Sequence, residues 1–149
     1  METTRQKLDN ALKDAMRSGN EIAKRTIRMV LSNIKFNEKE KGLPMEESAI
    51  LALLQKEIKS RRESIADAQK ANRPDLVTDS EAEIHIIEAF LPQPFTPEDL
   101  EKLVAEAIAE VNAQGPTDMG KVMKAVMPHI QGRASGDQVN QAVRKLLQK

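Results

Sequence analysis

Two short stretches near the C-terminus hold the residue types that could bind a phosphate. The first is Met119-Gly120-Lys121-Val122-Met123-Lys124, a glycine and two lysines inside an amphipathic helical pattern. Glycine within a helix costs about 1 kcal/mol relative to alanine, so its presence argues for close approach of another helix or a phosphate. The plainer reading places Gly120 in the first turn, where the cost is smaller. The second stretch is Gln131-Gly132-Arg133-Ala134-Ser135-Gly136, just before the last helix. Exposed N–H donors, the positive end of a helix dipole and a guanidinium would together cradle a phosphate there. No strand precedes this loop and no Gly-Lys-Ser/Thr follows, so it is not a nucleotide P-loop. A simple helix–helix connector is its alternative.

Other groupings are weaker. Lys59, Arg61, Arg62, Lys70 and Arg73 lie close together in sequence and could grip RNA phosphates. Such runs more often pair with acids, and Glu57 stands four residues before Arg61. Glu81, His85 and Glu88 share a helix face, but one helix rarely supplies a complete metal site, and a solvated polar face explains the spacing. No metal site and no cofactor are assigned. His129 is read as a helix-terminal surface or capping residue. No Gly-x-Ser-x-Gly elbow is present and neither histidine has an evident serine and aspartate companion, so no catalytic residue is assigned. Cysteine is absent, which removes disulfides, thiolate metal sites and cysteine nucleophiles together.

Helices must position these residues. Ala, Leu, Glu, Lys and Gln abound, strand formers are scarce, and the expected fold class is all-α. The spacing predicts a first helix over about residues 3–18, with Leu8, Leu12, Ala15 and Met16 on its apolar face. Gly19 and Asn20 read as a stop and a new start. The next helix carries Ile27, Val30, Leu31 and Ile34 and ends near Lys41, before Gly42 and Pro44. A third begins near Met45, buries Ile50, Leu51, Leu54, Ile58 and Ile65, and is stopped by Pro74. A fourth spans about residues 75–90. Three prolines in residues 91–97 then mark a stiff corner and a domain boundary. Thr96 with Pro97 starts a fifth helix; a sixth follows Gly115-Pro116, and a last one is opened by a Ser135/Gln138 capping box. The expected organisation is helical hairpins over residues 1–92 and a three-helix domain over residues 93–149.

The chain has 149 residues, with 23 basic and 23 acidic side chains. The balance argues against a basic DNA-coating protein, yet it conceals segregation. Residues 74–118 carry one base, Lys102, against eleven acids, while residues 119–149 carry six bases and one acid, Asp137. Basic C-terminal helices could meet a polyanion with the acidic helices turned away, or the two could simply neutralise each other. Three Phe and no Trp or Tyr leave little for a base-stacking platform. No apolar run reaches the roughly 18–20 residues of a membrane span, and the N-terminus lacks an apolar leader region. The expectation from these features is a soluble, cytoplasmic chain.

The order of motifs resembles one family. Lys56-Glu57-Ile58-Lys59-Ser60-Arg61-Arg62-Glu63-Ser64-Ile65 is similar to the central signature of the YqeY family. Asn72-Arg73-Pro74-Asp75-Leu76, Glu81-Ala82-Glu83-Ile84 and Phe90-Leu91-Pro92 follow in the family's order, and the two glycine stretches resemble its tail. The resemblance implies two helical domains, the second like the tail domain of GatB, a subunit of the tRNA-dependent amidotransferase that contacts the tRNA elbow. It implies an accessory tRNA-binding module, with an aminoacyl-tRNA synthetase or amidotransferase as a further partner. Gly120, Lys121, Lys124, Gly132, Arg133 and Ser135 would form the RNA-binding surface, with Arg61 and Arg62 as further candidates. Gly120 would admit a close approach, and Lys121, Lys124 and Arg133 would neutralise phosphates. The alternatives are a protein-interaction adaptor, with Arg61 and Arg62 exposed, and an amide-transfer enzyme, a carbon–nitrogen ligase with glutamine as amido-N donor. The catalytic cradle of GatB and the amidase Ser-Ser-Lys machinery have no counterpart in the sequence, so the last is the weakest.

Overall fold

Apolar residues recurring every three to four positions can be buried only if each helix lays that stripe against another. The computed structural model describes residues 2–148, and among them are seven α-helices and no strand. The expected all-α class is therefore correct. The helices fall into two compact units, Met1–Leu91 and Pro92–Lys149.

The first unit holds α1 (Thr4–Ser18), α2 (Glu21–Lys41), α3 (Glu47–Lys70) and α4 (Pro74–Glu88). The α1 and α2 helices form a hairpin, α3 packs most extensively on α4, and α2 also packs on α4. Ile27, Val30, Leu31 and Ile34 of α2 are all buried, with Leu8 of α1, Ile50, Leu51, Leu54 and Ile58 of α3, and Ile84 and Ile87 of α4. Full burial of one such side chain contributes about 1.5–3 kcal/mol, so these stripes hold the helices more than intrinsic propensity does.

Polar groups fix the ends. Gly19 adopts φ 72° after α1, where only glycine sits without strain, and the Asn20 side chain accepts the Ala23 N–H at 3.1 Å to start α2. The Glu47 carboxylate accepts both the N–H and the hydroxyl of Thr4, so the start of α3 caps the start of α1. Glu38, in the last turn of α2, pairs with Arg5 and accepts the Met45 N–H at 2.8 Å. Two expectations need correction here. Pro74 does not stop α3: the helix ends at Lys70, Asn72 turns the chain with φ 58°, and Pro74 opens α4 at its first position. Met16, expected on the apolar face of α1, is exposed.

The second unit holds α5 (Pro97–Val111), a 3-10 turn (Pro116–Asp118), α6 (Met119–Ile130) and α7 (Gly136–Leu147). Each of the three α-helices packs on the other two. Val104, Val122, Val126, Val139 and Val143 are fully buried at their centre, ringed by Leu100, Ile130, Ala134 and Leu147. Thr96 caps α5 by accepting the Asp99 N–H at 3.1 Å. Pro128 lies inside the last turn of α6, where it supplies no backbone donor.

Candidate nucleic-acid interface

The α6 stripe Val122–Val126–Ile130 faces inward, which turns Gly120, Lys121, Lys124 and Met127 to solvent. Gly120 is the second residue of α6. A Cβ built there meets no atom of another turn or element within 4 Å, so no packing contact among the described residues requires glycine at that point. Lys121 is exposed and lies 3.8 Å from Oδ1 of the partly buried Asp118, a loose pair, and Lys124 is exposed.

The loop after α6 is built by two successive left-handed residues, Gln131 (φ 49°) and Gly132 (φ 78°). They aim Arg133 back at the proline-rich segment. Its guanidinium carbon sits 3.9 Å from the Phe95 ring centroid, and its Nε–H donates to the Gln93 carbonyl at 2.8 Å. The Phe95 N–H in turn donates to the Arg133 carbonyl at 2.9 Å. Arg133, expected to neutralise phosphate, thus ties residues 93–95 to the α6–α7 loop. Ser135 is also engaged locally. Its Oγ accepts the Gln138 N–H at 3.1 Å, and its own N–H donates to Gln138 Oε1 at 2.9 Å, the capping box expected from the sequence.

The charges of this unit are sorted by helix. On α5, Glu98, Asp99, Glu106 and Glu110 are exposed. On α6 and α7, Lys121, Lys124 and Arg144 are exposed. Among the described residues, one ion pair joins α5 to the basic helices, Lys145 Nζ to Glu101 Oε1 at 2.6 Å. That hydrogen bond raises the Lys145 pKa above its ordinary value. The pair stands at the rim of an open groove of about 320 Å³ floored by Phe95, Leu100, Ala134 and Ala142. Among the described residues, Lys121, Lys124 and Arg144 are not paired with an acid of α5. Arg144 joins the exposed basic set without having been singled out in the sequence. The signal for it was present: α7 buries Val139, Ala142, Val143 and Leu147, which leaves residue 144 on the outer side.

In the first unit Arg61 follows the pairing with acids that the sequence favoured, and not the RNA contact offered beside it. Arg61 is 7% exposed. Its Nε–H donates to Glu83 Oε2 at 2.8 Å, and Nη1 donates to Glu57 Oε2 at 2.7 Å and to the Glu57 carbonyl at 3.1 Å. Asn33 Nδ2 donates to the other Glu57 oxygen at 2.8 Å, and Arg25 Nη2 reaches the other Glu83 oxygen at 3.2 Å. One network therefore joins α2, α3 and α4, and Arg61 is no surface contact. Arg62 does point outward, with Nη2 3.6 Å from Glu88 Oε1. Glu83, which pairs with Arg61, and Asn33 and Arg25, which join the network through Glu57 and Glu83, were not singled out, because they lie 22, 28 and 36 positions from Arg61 in sequence. Glu81 and His85 are exposed on α4, and no group of three His, Cys, Asp or Glu among the described residues is placed to hold a metal. His129 is exposed in the last turn of α6.

Comparison with known proteins gives the chain its kin. The family described as Yqey-like protein matches residues 5–147. A protein of Pyrenophora tritici-repentis named "Altered inheritance of mitochondria protein 41, mitochondrial" is 35% identical over 131 residues, covering 86% of this chain and 71% of the relative. Proteins of the same name from Lachancea thermotolerans and Vanderwaltozyma polyspora are each 36% identical, over 74% and 56% of this chain and 60% and 46% of their own lengths. The chain thus spans between about half and seven tenths of these relatives. Their names overturn the expectation of a cytoplasmic protein, since they are named as mitochondrial. That expectation rested on the want of an apolar signal-peptide stretch and of a spanning segment, and neither feature distinguishes the two compartments. No described helix is long and apolar enough to cross a membrane. Matched from residue 5 to residue 147, the chain belongs to the YqeY-like family.

Proposed function

We propose that this chain is an accessory tRNA-binding module, not catalytic alone, whose C-terminal unit meets the nucleic acid through the outer face of α6 and the adjoining part of α7. The observation that carries the reading is the sorting of charge. Lys121, Lys124 and Arg144 stay exposed, and among the described residues none of the three is paired with an acid of α5, whose Glu101 reaches Lys145 instead. Phosphates supply the counter-charge such an edge lacks, and a structured RNA read by shape needs no aromatic platform. Gly120 adds a place where a ribose–phosphate backbone can approach the helix without meeting a side chain. Carried over from the relatives' names, a mitochondrial setting is the one proposed in place of the cytoplasm.

The test is fluorescence anisotropy of labelled tRNA with the full chain and with a Lys121→Ala, Lys124→Ala, Arg144→Ala variant. All three side chains are exposed, so the fold is retained and circular dichroism checks it. Arg133 is left intact, because its loss would loosen residues 93–95. The expected result is at least tenfold weaker binding and a salt slope shallower by roughly two to three, one step per phosphate contact. Unchanged affinity in the variant overturns the reading.

A further inference from the structure

An unexplained apolar surface lies in the other unit, on the outer face of α2. Phe36 is 64% exposed, Leu43 59%, Met16 53% and Met29 39%. Single exposed apolar residues need no explanation, but these four of the six exposed large hydrophobics among the described residues sit on α2 or beside it. Met29 and Phe36 are seven residues apart, two helical turns, so they stack in one row along the helix, and Leu43 follows seven residues later, just past the helix end. Met16 of α1 borders the same face, its Sδ 4.0 Å from Arg28 Nη2.

A second row runs beside the first. Arg28, Lys35 and Lys39 are exposed and lie within about 40° of one another around α2, next to the Met29–Phe36 row, with Ser32 between the rows. Arg25 adds a fourth cation, bound at 3.2 Å to Glu83. From Arg25 to Lys39 the surface runs about 21 Å, the length of a four-turn helix. The exposed acids of α2 stand at its margins, Glu21 in the first turn and Glu40 in the last. The Met29 sulfur rests 3.7 Å from Arg61 Nη2, so the apolar row is seated on the buried network and held by it.

We infer that the outer face of α2 is a docking surface for an acidic amphipathic helix of a partner protein. Charge complementarity selects the acidic partner: a basic row wants carboxylates beside it. The two-turn spacing of Met29 and Phe36 selects a helix, whose own apolar residues recur at three, four and seven positions. Small Ser32 between the rows leaves room for a partner side chain, and methionine adapts its shape to what packs on it. A lipid surface would want apolar residues at one depth with cations around them, whereas here the two classes lie in parallel rows. This surface does not depend on the RNA reading of the other unit.

The experiment displays a random library of helical peptides against the full chain and measures the enriched peptides by anisotropy. The expected peptides carry an acidic row beside apolar residues at three, four and seven positions. Their binding falls at least tenfold in Phe36→Ala and in Lys35→Glu, Lys39→Glu, with helicity and thermal unfolding unchanged, because all three side chains are solvent-exposed. Enriched peptides without that pattern, or equal binding by the Phe36→Ala protein, overturn the inference. So does Phe36-dependent flotation with phosphatidylserine vesicles in the absence of peptide binding, which gives the face to lipid. Concentration-dependent dimer formation abolished by Phe36→Ala likewise overturns it and gives the face to a second copy.

Discussion

Replacing Arg61 by methionine keeps most of the buried stem and removes the charge that joins three helices. In the native protein the guanidinium satisfies one oxygen of Glu57, one of Glu83 and the Glu57 carbonyl. Without it two carboxylates face a vacated site. Losing one partner of a buried ion pair costs about 3–5 kcal/mol, mostly through the charge left behind. Glu57 and Glu83 retain 19% and 18% side-chain exposure, and Asn33 and Arg25 still serve their other oxygens, so the expected loss is at the low end, about 3 kcal/mol. Urea unfolding followed by circular dichroism measures it. The mechanism has its own check. Adding Glu57→Gln and Glu83→Gln to Arg61→Met removes the stranded charges and should restore about 1 kcal/mol or more. A single-variant loss under about 1 kcal/mol, or a triple variant no more stable than the single, refutes the reasoning.

Three further outcomes follow from single groups. Thr26 is 1% exposed and its Oγ1 has no hydrogen-bond partner among the described residues, so Thr26→Val should stabilise the first unit by about 1 kcal/mol; a destabilised variant in urea unfolding counts against this. The Glu38 carboxyl is held down at about 2 by the Arg5 guanidinium and then by the Met45 N–H. Its folded value lies below the unfolded one of about 4.3, so its stabilisation is complete above that value and is lost as pH falls toward 2. Glu38→Gln should flatten the stability–pH curve between about 5 and 2, and an unchanged limb contradicts the assignment. Ser135→Ala breaks the capping box of α7 and should cost about 1 kcal/mol in the second unit, read as a lower thermal midpoint.

Much of this fold is legible in the sequence because helix and burial share one period. Ile27, Val30, Leu31 and Ile34 were expected inside and are inside, and the Thr96 and Ser135 caps stand where their side chains can reach the third N–H. The end of α3 was misplaced because proline rules are one-sided: Pro74 forbids little at its own N-terminal side once Asn72 has taken the left-handed turn. Arg61 was offered as a further RNA contact on its residue type, beside the favoured pairing with Glu57 that the structure shows. It stands three residues after Ile58 and seven after Leu54, on the stripe itself, and periodicity alone would have placed it inside. Its partner Glu83 lies on another helix, a pairing no local rule supplies. For the candidate interface, the residue types were legible and their roles were not. Lys121 and Lys124 depend only on the face of α6, whereas the role of Arg133 depends on Phe95, thirty-eight residues away and brought near by folding.

The α6–α7 edge is proposed to read a structured RNA. Its most direct test is anisotropy of labelled tRNA titrated with the full chain at two salt concentrations, against a plain RNA duplex. The account predicts tighter binding to tRNA than to the duplex, with a log–log salt slope of roughly −2 to −3 for three phosphate contacts. No binding, or equal affinity for both RNAs, contradicts it.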